Sequence, residues 1–244
     1  HKDYYGSHYA QLVAVGDIEH ASFKQIVRKA FSTWEGGKEL TIDSGDSANI
    51  KTLRKVISIR DKKNVTVAFG HGIPFSVQSD EYLPAFVANY ILGGNFSARL
   101  MMEVRDNQGL TYGVGSFISG NDFTDGIWGI YGTFNPDLTQ KGIQSINEQI
   151  TQFIEKGITA EELKNKKSTI IGSYKVGLAT TVGLASQIHS TLKSGFPLSY
   201  LDEYPNKISS LTLEQVNNLI KHYYSKDRLN IFIAGSLDQN EKPL

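Results

Sequence analysis

The sequence predicts an α+β domain with a mixed, largely antiparallel sheet and helices packed mainly on one face of that sheet. Three observations indicate this class: two pairs of short apolar strands, two helices between those pairs, and a long helical run before a final strand. The predicted strands of this domain cover residues 54–60, 64–71, 111–119, 126–134 and 228–235.

The first part of the chain predicts a separate strand and helix. Residues 9–16 are apolar and end at a glycine, which favours a strand. Asp17 can cap a helix from about Glu19 to Trp34, which Gly36-Gly37 would end. The following segment, Lys38 to Ile50, is polar, rich in Ser, Asp and Gly, and without periodicity, so it is predicted to be a linker.

The two helices between the strand pairs differ in length. Ser79, Asp80 and Glu81 are typical of a helix start, and the helix is expected to bury four large side chains. These are Phe86, Val87, Tyr90 and Ile91. A shorter helix is predicted over Ser97–Arg105, between two glycine turns.

Start signals mark the helices of the long run. Asn135-Pro136 supplies a cap and a proline at the first helical position, ahead of an apolar stripe at helical spacing. Thr159 with Glu162 and Thr212 with Gln215 each satisfy the capping-box pattern. Glycines inside residues 160–195 predict a kink or break there. The apolar stripe of the helix that follows Asn135-Pro136 consists of Ile143, Ile146, Ile150 and Phe153.

Composition excludes several classes of function. The 25 basic and 25 acidic residues cancel, so no net charge favours nucleic acid or an anionic membrane. Without cysteine, the chain has no disulfide, thiolate nucleophile or Cys-type zinc site. No apolar run approaches the roughly 18 residues that a membrane span needs, and no signal-peptide pattern opens the sequence. None of these observations indicates the cellular compartment of the protein.

Two segments of the chain resemble each other at an offset of 219 residues. Residues 4–18 read YYGSHYAQLVAVGDI, and residues 223–237 read YYSKDRLNIFIAGSL. A repeat of this length is the size of a domain. We therefore predict that residues 1–37 are the end of a preceding homologous domain, 38–53 a linker, and 54–244 a complete domain. The sequence is then expected to be a piece of a longer polypeptide.

The most specific motif is LGGNFSARLMMEVRDNQGLTYGVGS, which starts at Leu92. A helix-to-strand reversal here would bring Arg105 and Tyr112 to one side of a cleft, where a guanidinium and a phenol can grip a peptide. Gly93-Gly94-Asn95 lacks the Walker lysine and the Rossmann spacing, so a turn is favoured over a phosphate site. Arg99 is expected to pair with Glu103, and the lysines at 164, 166 and 167 to form a solvated helix face.

This motif resembles the C-terminal half of the insulinase/pitrilysin and mitochondrial-processing-peptidase superfamily of inverted-zincin zinc peptidases. In that family an LGG-x-x-S-x-R-L helix precedes an Arg and a Tyr with the spacing of Arg105 and Tyr112. The resemblance implies a metallopeptidase half-shell fold whose partner half carries zinc. It also implies that Arg105 bonds a carbonyl oxygen of the substrate and that Tyr112 orients the substrate or stabilises its oxyanion.

The family's zinc motif, H-x-x-E-H, is absent from the sequence. The nearest approach is Glu19-His20, where Gly16 takes the place of the first histidine. No two of the six histidines stand at a helical spacing of three or four. We expect no cofactor in this chain and no peptidase activity from it alone, with zinc on a missing N-terminal half or on a partner subunit.

The leading hypothesis is therefore the noncatalytic, substrate-binding half of a zinc metalloendopeptidase. Its expected partners are a peptide substrate and a zinc-binding homologous half or subunit, with a separate subunit slightly favoured. The rival is an inert structural or interaction subunit of the same fold, like the core proteins of respiratory complexes. Without the resemblance, the residues alone favour a structural interpretation. Arg105 would then interact with the dipole at the C-terminal end of its helix, and Tyr112 would pack against its neighbours on a strand.

Overall fold

The computed structural model describes residues 1–39 and 51–244, which belong to two compact units. The first unit takes its residues from 1–43 and 170–206, and the second from 44–169 and 207–244. Most of the predicted linker at 38–53 falls on residues 40–50, outside the described residues. The division into a remnant, a linker and a complete domain stays a prediction.

The second unit contains a five-stranded sheet in the order β1-β5-β2-β4-β3. β1 and β5 are parallel, and the other three pairings are antiparallel, which confirms the predicted class. The bounds of β3 and β4 match the predicted ones, and the other strands differ at their ends by a few residues. The strands are β1 Arg54–Ser58, β2 Val65–Ile73, β3 Thr111–Ser119, β4 Gly126–Phe134 and β5 Asn230–Gly235.

Seven α-helices accompany the strands within the described ranges. Two short 3₁₀ segments lead into neighbouring elements, at Pro136–Leu138 and Lys226–Arg228. The break predicted within 160–195 lies between α4 and α5. The helices are α1 His20–Ala30, α2 Tyr82–Leu92, α3 Thr139–Lys156, α4 Ala160–Leu178, α5 Thr181–Lys193, α6 Tyr200–Ser210 and α7 Leu213–Tyr223.

One face of the sheet forms the core of the second unit, where α2, α3 and α7 contact the sheet or one another. Alternate residues of each strand point to this face. The indole of Trp128 lies edge-on to the ring of Tyr224 at 4.7 Å, and Phe153 of α3 meets the same tyrosine at 5.5 Å. Burying a large apolar side chain of this kind stabilises a fold by about 1.5–3 kcal/mol.

The predicted helix starts in the second unit are confirmed. Asn135 Oδ1 accepts a hydrogen bond from the Asp137 N–H at 3.0 Å, and all four residues of the apolar stripe are buried. In the first capping box, the N–H of Glu162 donates to Thr159 Oγ1 at 3.1 Å, and the Thr159 N–H donates back to Glu162. Thr212 forms the second box with its partner three residues on. On α2, Val87 and Ile91 are buried as predicted, whereas Phe86 and Tyr90 are only half-buried.

In the first unit, both the predicted strand and the predicted helix differ from the structure. Residues 10–16 form no strand, because no other described segment pairs with their backbone, and Leu12 is exposed. The helix runs only from His20 to Ala30, and its cap is Glu19 rather than Asp17. Within the same unit, the Tyr174 hydroxyl donates to Leu201 O at 2.9 Å.

The opposite face of the sheet is rich in glycine and exposed apolar side chains. Alternation places Ile127, Tyr131 and Phe232 there, and each exposes at least 40% of its surface. Gly113 and Gly115 of the edge strand β3 lie on this face beside Thr133 and Tyr131. The predicted site residues lie at this edge of the sheet.

Candidate functional site

A glycine turn joins α2 to the site. The carbonyl oxygen of Asn89 accepts hydrogen bonds from the N–H groups of Gly93 at 2.9 Å and Gly94 at 3.0 Å. The Ser116 N–H of β3 donates to Gly93 O at 3.1 Å, which ties the turn to the edge strand. A Cβ at Gly93 would lie 2.5 Å from Ser116 N, so only glycine fits this close approach.

The next element is a π-helix, Met101–Asn107, where an ordinary helix over Ser97–Arg105 was predicted. The N–H of Gln108 donates to Glu103 O at 3.1 Å, a bond that spans five residues. The wide turn is reinforced by side chains, because Glu103 accepts from Asn107 Nδ2 at 2.9 Å and from Gln108 Nε2 at 2.8 Å. Periods of apolar residues do not reveal this backbone change, which explains why the prediction missed it.

The structure brings Arg105 and Tyr112 together. Gly109, at φ 64°, reverses the chain after the π-helix, and a register shift between Thr111 and Gly113 interrupts β3 at Tyr112. The guanidinium carbon of Arg105 lies 5.4 Å from the centroid of the Tyr112 ring. Tyr112 is 89% exposed.

Arg105 keeps most of its hydrogen-bonding capacity. Its Nη1 lies 3.9 Å from the carboxylate of Asp106, beyond hydrogen-bond distance. Among the residues that the structure describes, no acceptor hydrogen-bonds its five guanidinium N–H donors. The side chain is 34% exposed, so the fork of donors can reach a ligand beside Tyr112.

Two clefts are both lined in part by Tyr112 and Tyr131, a pair that we call the ridge. The first, which we call the apolar cleft, has a volume of about 350 Å³ and is lined by Gly93, Gly94, Phe96, Met101, Gly113 and Gly115 in addition to the ridge. The second, the polar cleft, has a volume of about 470 Å³ and includes Asn64, Thr133 and Asn135. Phe96 and Tyr131 did not figure among the predicted site residues, although alternation along β4 places Tyr131 on the exposed face.

Arg99 holds the segment before the π-helix in place, through a partner that the sequence did not predict. Its Nε and Nη2 donate to the two carboxylate oxygens of Glu162 at 2.6 and 2.7 Å, and Nη2 also donates to Gly157 O at 2.9 Å. The expected pairing with Glu103 is wrong, because that carboxylate is taken by Asn107 and Gln108. Burial acts to raise the pKa of Glu162, but the hydrogen bonds from Arg99 and Thr159 outweigh it and lower that pKa.

Lys166 also fixes the segment that precedes the π-helix. Its ammonium donates to Asn95 Oδ1 at 3.0 Å, to Ser97 O at 2.8 Å and to Ser97 Oγ at 2.6 Å. Lys167 donates to Leu211 O at 2.5 Å. The prediction of a solvated lysine face is therefore wrong for these two residues, whose pKa values are lowered by burial.

The described histidines and carboxylates do not fit a metal ion. No group of three potential His, Asp or Glu ligands occurs in the ranges 1–39 and 51–244. The Glu19 carboxylate caps α1, because it accepts hydrogen bonds from the N–H groups of Ala21 at 3.0 Å and Ser22 at 2.6 Å. His71 is buried, which lowers its pKa, and its Nδ1 contacts Gly72 O at 2.7 Å.

The five-stranded, largely antiparallel sheet with helices on one face is the fold of one class of protein, the inactive domains of peptidases. The chain belongs to the peptidase M16 family: the family description "Peptidase M16 inactive domain" matches residues 1–170. The predicted family resemblance is thereby confirmed.

Bacterial proteins are among those that resemble the chain in sequence. The chain is 28% identical over 235 residues to "Uncharacterized zinc protease YmxG" of Bacillus subtilis, covering 96% of the chain and 56% of that protein. It is 25% identical over 233 residues to "Non-peptidase homolog YmxG" of Helicobacter pylori, covering 92% and 51% respectively. The chain thus spans about half the length of these relatives.

Solved structures share the fold. The peptidase M16 inactive domain from Pseudomonas fluorescens superposes with a TM-score of 0.78 at 24% identity, covering 94% of this chain and 53% of that one. A protease from Helicobacter pylori gives a TM-score of 0.75 at 16% identity, covering 91% and 53%. No helix among the described residues is both long and apolar enough to span a membrane.

Proposed function

We propose that this chain is the noncatalytic half of a zinc metalloendopeptidase and that it binds the peptide substrate through Arg105 and Tyr112. The observation that supports this most is the guanidinium of Arg105, which donates no hydrogen bond to a described residue and lies 5.4 Å from the centroid of an 89% exposed tyrosine ring at the edge of the glycine-rich face. An exposed aromatic ring can contact an extended peptide, and a neighbouring guanidinium with unused N–H donors can hydrogen-bond its backbone.

The two side chains have distinct roles in this proposal. The guanidinium of Arg105 donates to a carbonyl oxygen of the bound peptide, since its planar fork suits two oxygen acceptors. The Tyr112 hydroxyl, a donor as well as an acceptor, orients the peptide or donates to the oxyanion that forms during cleavage. Neither role requires a metal in this chain.

The catalytic zinc and the H-x-x-E-H motif are proposed to lie on a homologous half. That half is either a preceding part of the same polypeptide or a separate partner subunit. The names of the bacterial relatives as zinc proteases, and their roughly doubled length, support a zinc-bearing half of similar size. As part of this proposal, residues 1–37 are the end of a preceding homologous domain, and residues 54–244 form a complete domain.

Reconstitution with the zinc-bearing half tests this function. The complete protein, or the complex of the two subunits, is assayed for cleavage of a quenched fluorescent peptide. Arg105→Ala and Tyr112→Phe are each expected to lower kcat/KM, by on the order of 10²-fold where a transition-state donor is lost. Arg60→Ala, which removes an exposed arginine outside the site, serves as the matched control. Unchanged turnover in both site variants would refute the assigned roles.

The second candidate is a catalytically inert structural or interaction subunit with the same fold. It is favoured by one observation, the name "Non-peptidase homolog" carried by the Helicobacter pylori relative. Calorimetric titration of the complete protein with an unstructured peptide separates the two candidates. Heat of binding that disappears in Arg105→Ala supports the substrate-binding half, whereas absence of any binding supports the inert subunit.

A further inference from the structure

The π-helix that carries Arg105 is a rare backbone form, which in proteins occurs mostly at functional sites. Its width shows in two backbone hydrogen bonds. The Gln108 N–H donates to Glu103 O at 3.1 Å, and the Leu110 N–H donates to Val104 O at 3.0 Å. In an α-helix the donor to Val104 O would be the Gln108 N–H, four residues on. The wider turn changes the direction in which its side chains, Arg105 among them, leave the backbone.

The side chain of Glu103 closes this wide turn. One carboxylate oxygen accepts from Asn107 Nδ2 at 2.9 Å, and the other accepts from Gln108 Nε2 at 2.8 Å. Residues four apart share a face of an α-helix, whereas residues five apart do not. The bond to Gln108 therefore fits the π-helix and would be lost if the segment wound as an ordinary α-helix.

The buried side of the turn does not hold its exposed end. Met101 and Val104 are buried, whereas Asn107 and Gln108 are exposed. Within the described ranges, the side chains of these two amides hydrogen-bond to Glu103 alone. Their hydrogen bonds also lower the pKa of Glu103, which keeps the carboxylate ionised at neutral pH. Hydrogen bonds to an ionised acceptor are about twice as strong as those between neutral groups.

We propose that Glu103 is a positioning residue, whose carboxylate holds the π-helix in the form that sets the Arg105 guanidinium beside the Tyr112 ring. The inference rests on the proposed function, because Glu103 acts on the peptide only through Arg105. Both oxygens of the Glu103 carboxylate are used inside the turn, so this side chain does not itself contact the substrate.

The experiment is a double-mutant cycle in the complete protein, or in the complex of the two subunits, with a quenched fluorescent peptide as substrate. Glu103→Met keeps the length and the helix propensity of the side chain but removes both acceptor oxygens. It is expected to lower kcat/KM about tenfold, since a small misplacement of a binding group can cost up to about 10²-fold. In the Arg105→Ala background, Glu103→Met is expected to have no further effect, because the group that it positions is absent.

Further variants separate positioning from a general loss of structure. Glu103→Gln keeps an acceptor oxygen at the same reach and is expected to retain most of the turnover. Glu148→Met is the matched control, because this exposed carboxylate accepts from Gln144 Nε2 at 2.9 Å on the ordinary helix α3. Melting temperatures near that of the wild type are expected throughout. If Glu103→Met does not fold, the double variant Asn107→Ala/Gln108→Ala removes the same two bonds from the donor side and replaces it in the cycle.

A crystal structure of Glu103→Met supplies a measurement that does not depend on activity. The guanidinium carbon of Arg105 is expected to leave its position 5.4 Å from the Tyr112 ring centroid. An unchanged Arg105–Tyr112 contact, or effects that multiply in the double variant, would overturn the positioning role alone. So would a wild-type kcat/KM in Glu103→Met while Arg105→Ala lowers it. Unchanged turnover in Arg105→Ala would overturn this inference, and unchanged turnover in Tyr112→Phe as well would overturn the proposed function.

Discussion

Arg99 and Glu162 form a two-point ion pair in which each guanidinium nitrogen, Nε and Nη2, meets a separate carboxylate oxygen at 2.6–2.7 Å. The same carboxylate accepts the Thr159 N–H at 2.7 Å, so the cap of α4 and the anchor of the site segment share one side chain. The side chains are 20% and 28% exposed, which limits screening by water. This pair links the start of the π-helical segment to α4.

Removal of either member of this pair is expected to destabilise the domain. Arg99→Ala and Glu162→Ala should each cost about 1–3 kcal/mol, because the remaining partner loses its charge-assisted hydrogen bonds. Urea denaturation of the single and double variants gives a coupling energy, expected at about 0.5–3 kcal/mol. Glu161→Ala, at the exposed neighbouring carboxylate, is the control. Strictly additive effects of the two substitutions would contradict the pairing.

Tyr112 is expected to contribute to function and not to stability. Since 89% of its surface is exposed, Tyr112→Ala should change the free energy of unfolding by no more than about 0.5 kcal/mol. Trp128→Ala, at a fully buried indole, is the contrasting variant and should cost about 3–5 kcal/mol. A large loss of stability in Tyr112→Ala would show that the ring is structural.

The glycines of the site segment should differ in their tolerance of a methyl group. Gly93→Ala places a Cβ 2.5 Å from a backbone nitrogen of β3 and should cost about 1–3 kcal/mol through overpacking. Gly113→Ala meets open space and should leave the melting temperature nearly unchanged. Thermal denaturation of both variants checks the contrast, and similar melting temperatures would contradict it.

His71 should make stability depend on pH. Its Nε2 accepts the Ser225 N–H at 3.4 Å and its Nδ1 contacts Gly72 O, an arrangement that suits the neutral ring with a proton on Nδ1. Burial lowers the pKa of His71, and the positive charge of Arg228 lowers it further. The folded state therefore binds fewer protons than the unfolded state, whose pKa is near 6.5.

Stability is expected to fall as the pH drops below about 6.5 and to level off once the pH passes the lower, folded-state pKa. The urea midpoint measured between pH 8 and pH 5 follows this change. His71→Asn should be less stable at pH 8 because ring packing is lost, but with a shallower dependence on pH. His189→Asn, at an exposed histidine, should retain the full dependence. A wild-type midpoint that rises on acidification would contradict the assignment.

The sequence predicts local structure here better than it predicts long-range partners. The strands at 111–119 and 126–134, and both capping boxes, depend on neighbouring residues and were predicted correctly. The partner of Arg99 lies 63 positions away and competes with a plausible local choice, Glu103, so the sequence pattern selected the wrong carboxylate. The proposed strand at 9–16 failed because a strand requires a hydrogen-bonding neighbour that residues alone do not identify.

The candidate site could be predicted in outline. The spacing of Arg105 and Tyr112 pointed to one cleft, and the structure places the two side chains in contact across the Gly109 reversal. Sequence reasoning could not supply the π-helix or the lysine hold on the turn, because both depend on backbone geometry that has no signature in residue type.

The position of β5 has a consequence for how the domain folds. This strand is the last along the chain, yet it lies between β1 and β2. During synthesis, β2, β3 and β4 can pair early through antiparallel contacts of limited sequence separation, whereas β1 has no strand to join until β5 emerges. Until β5 is made, the edges of β1 and β2 that it joins in the folded sheet lack this partner, so we expect the insertion of β5 to be a late step of folding.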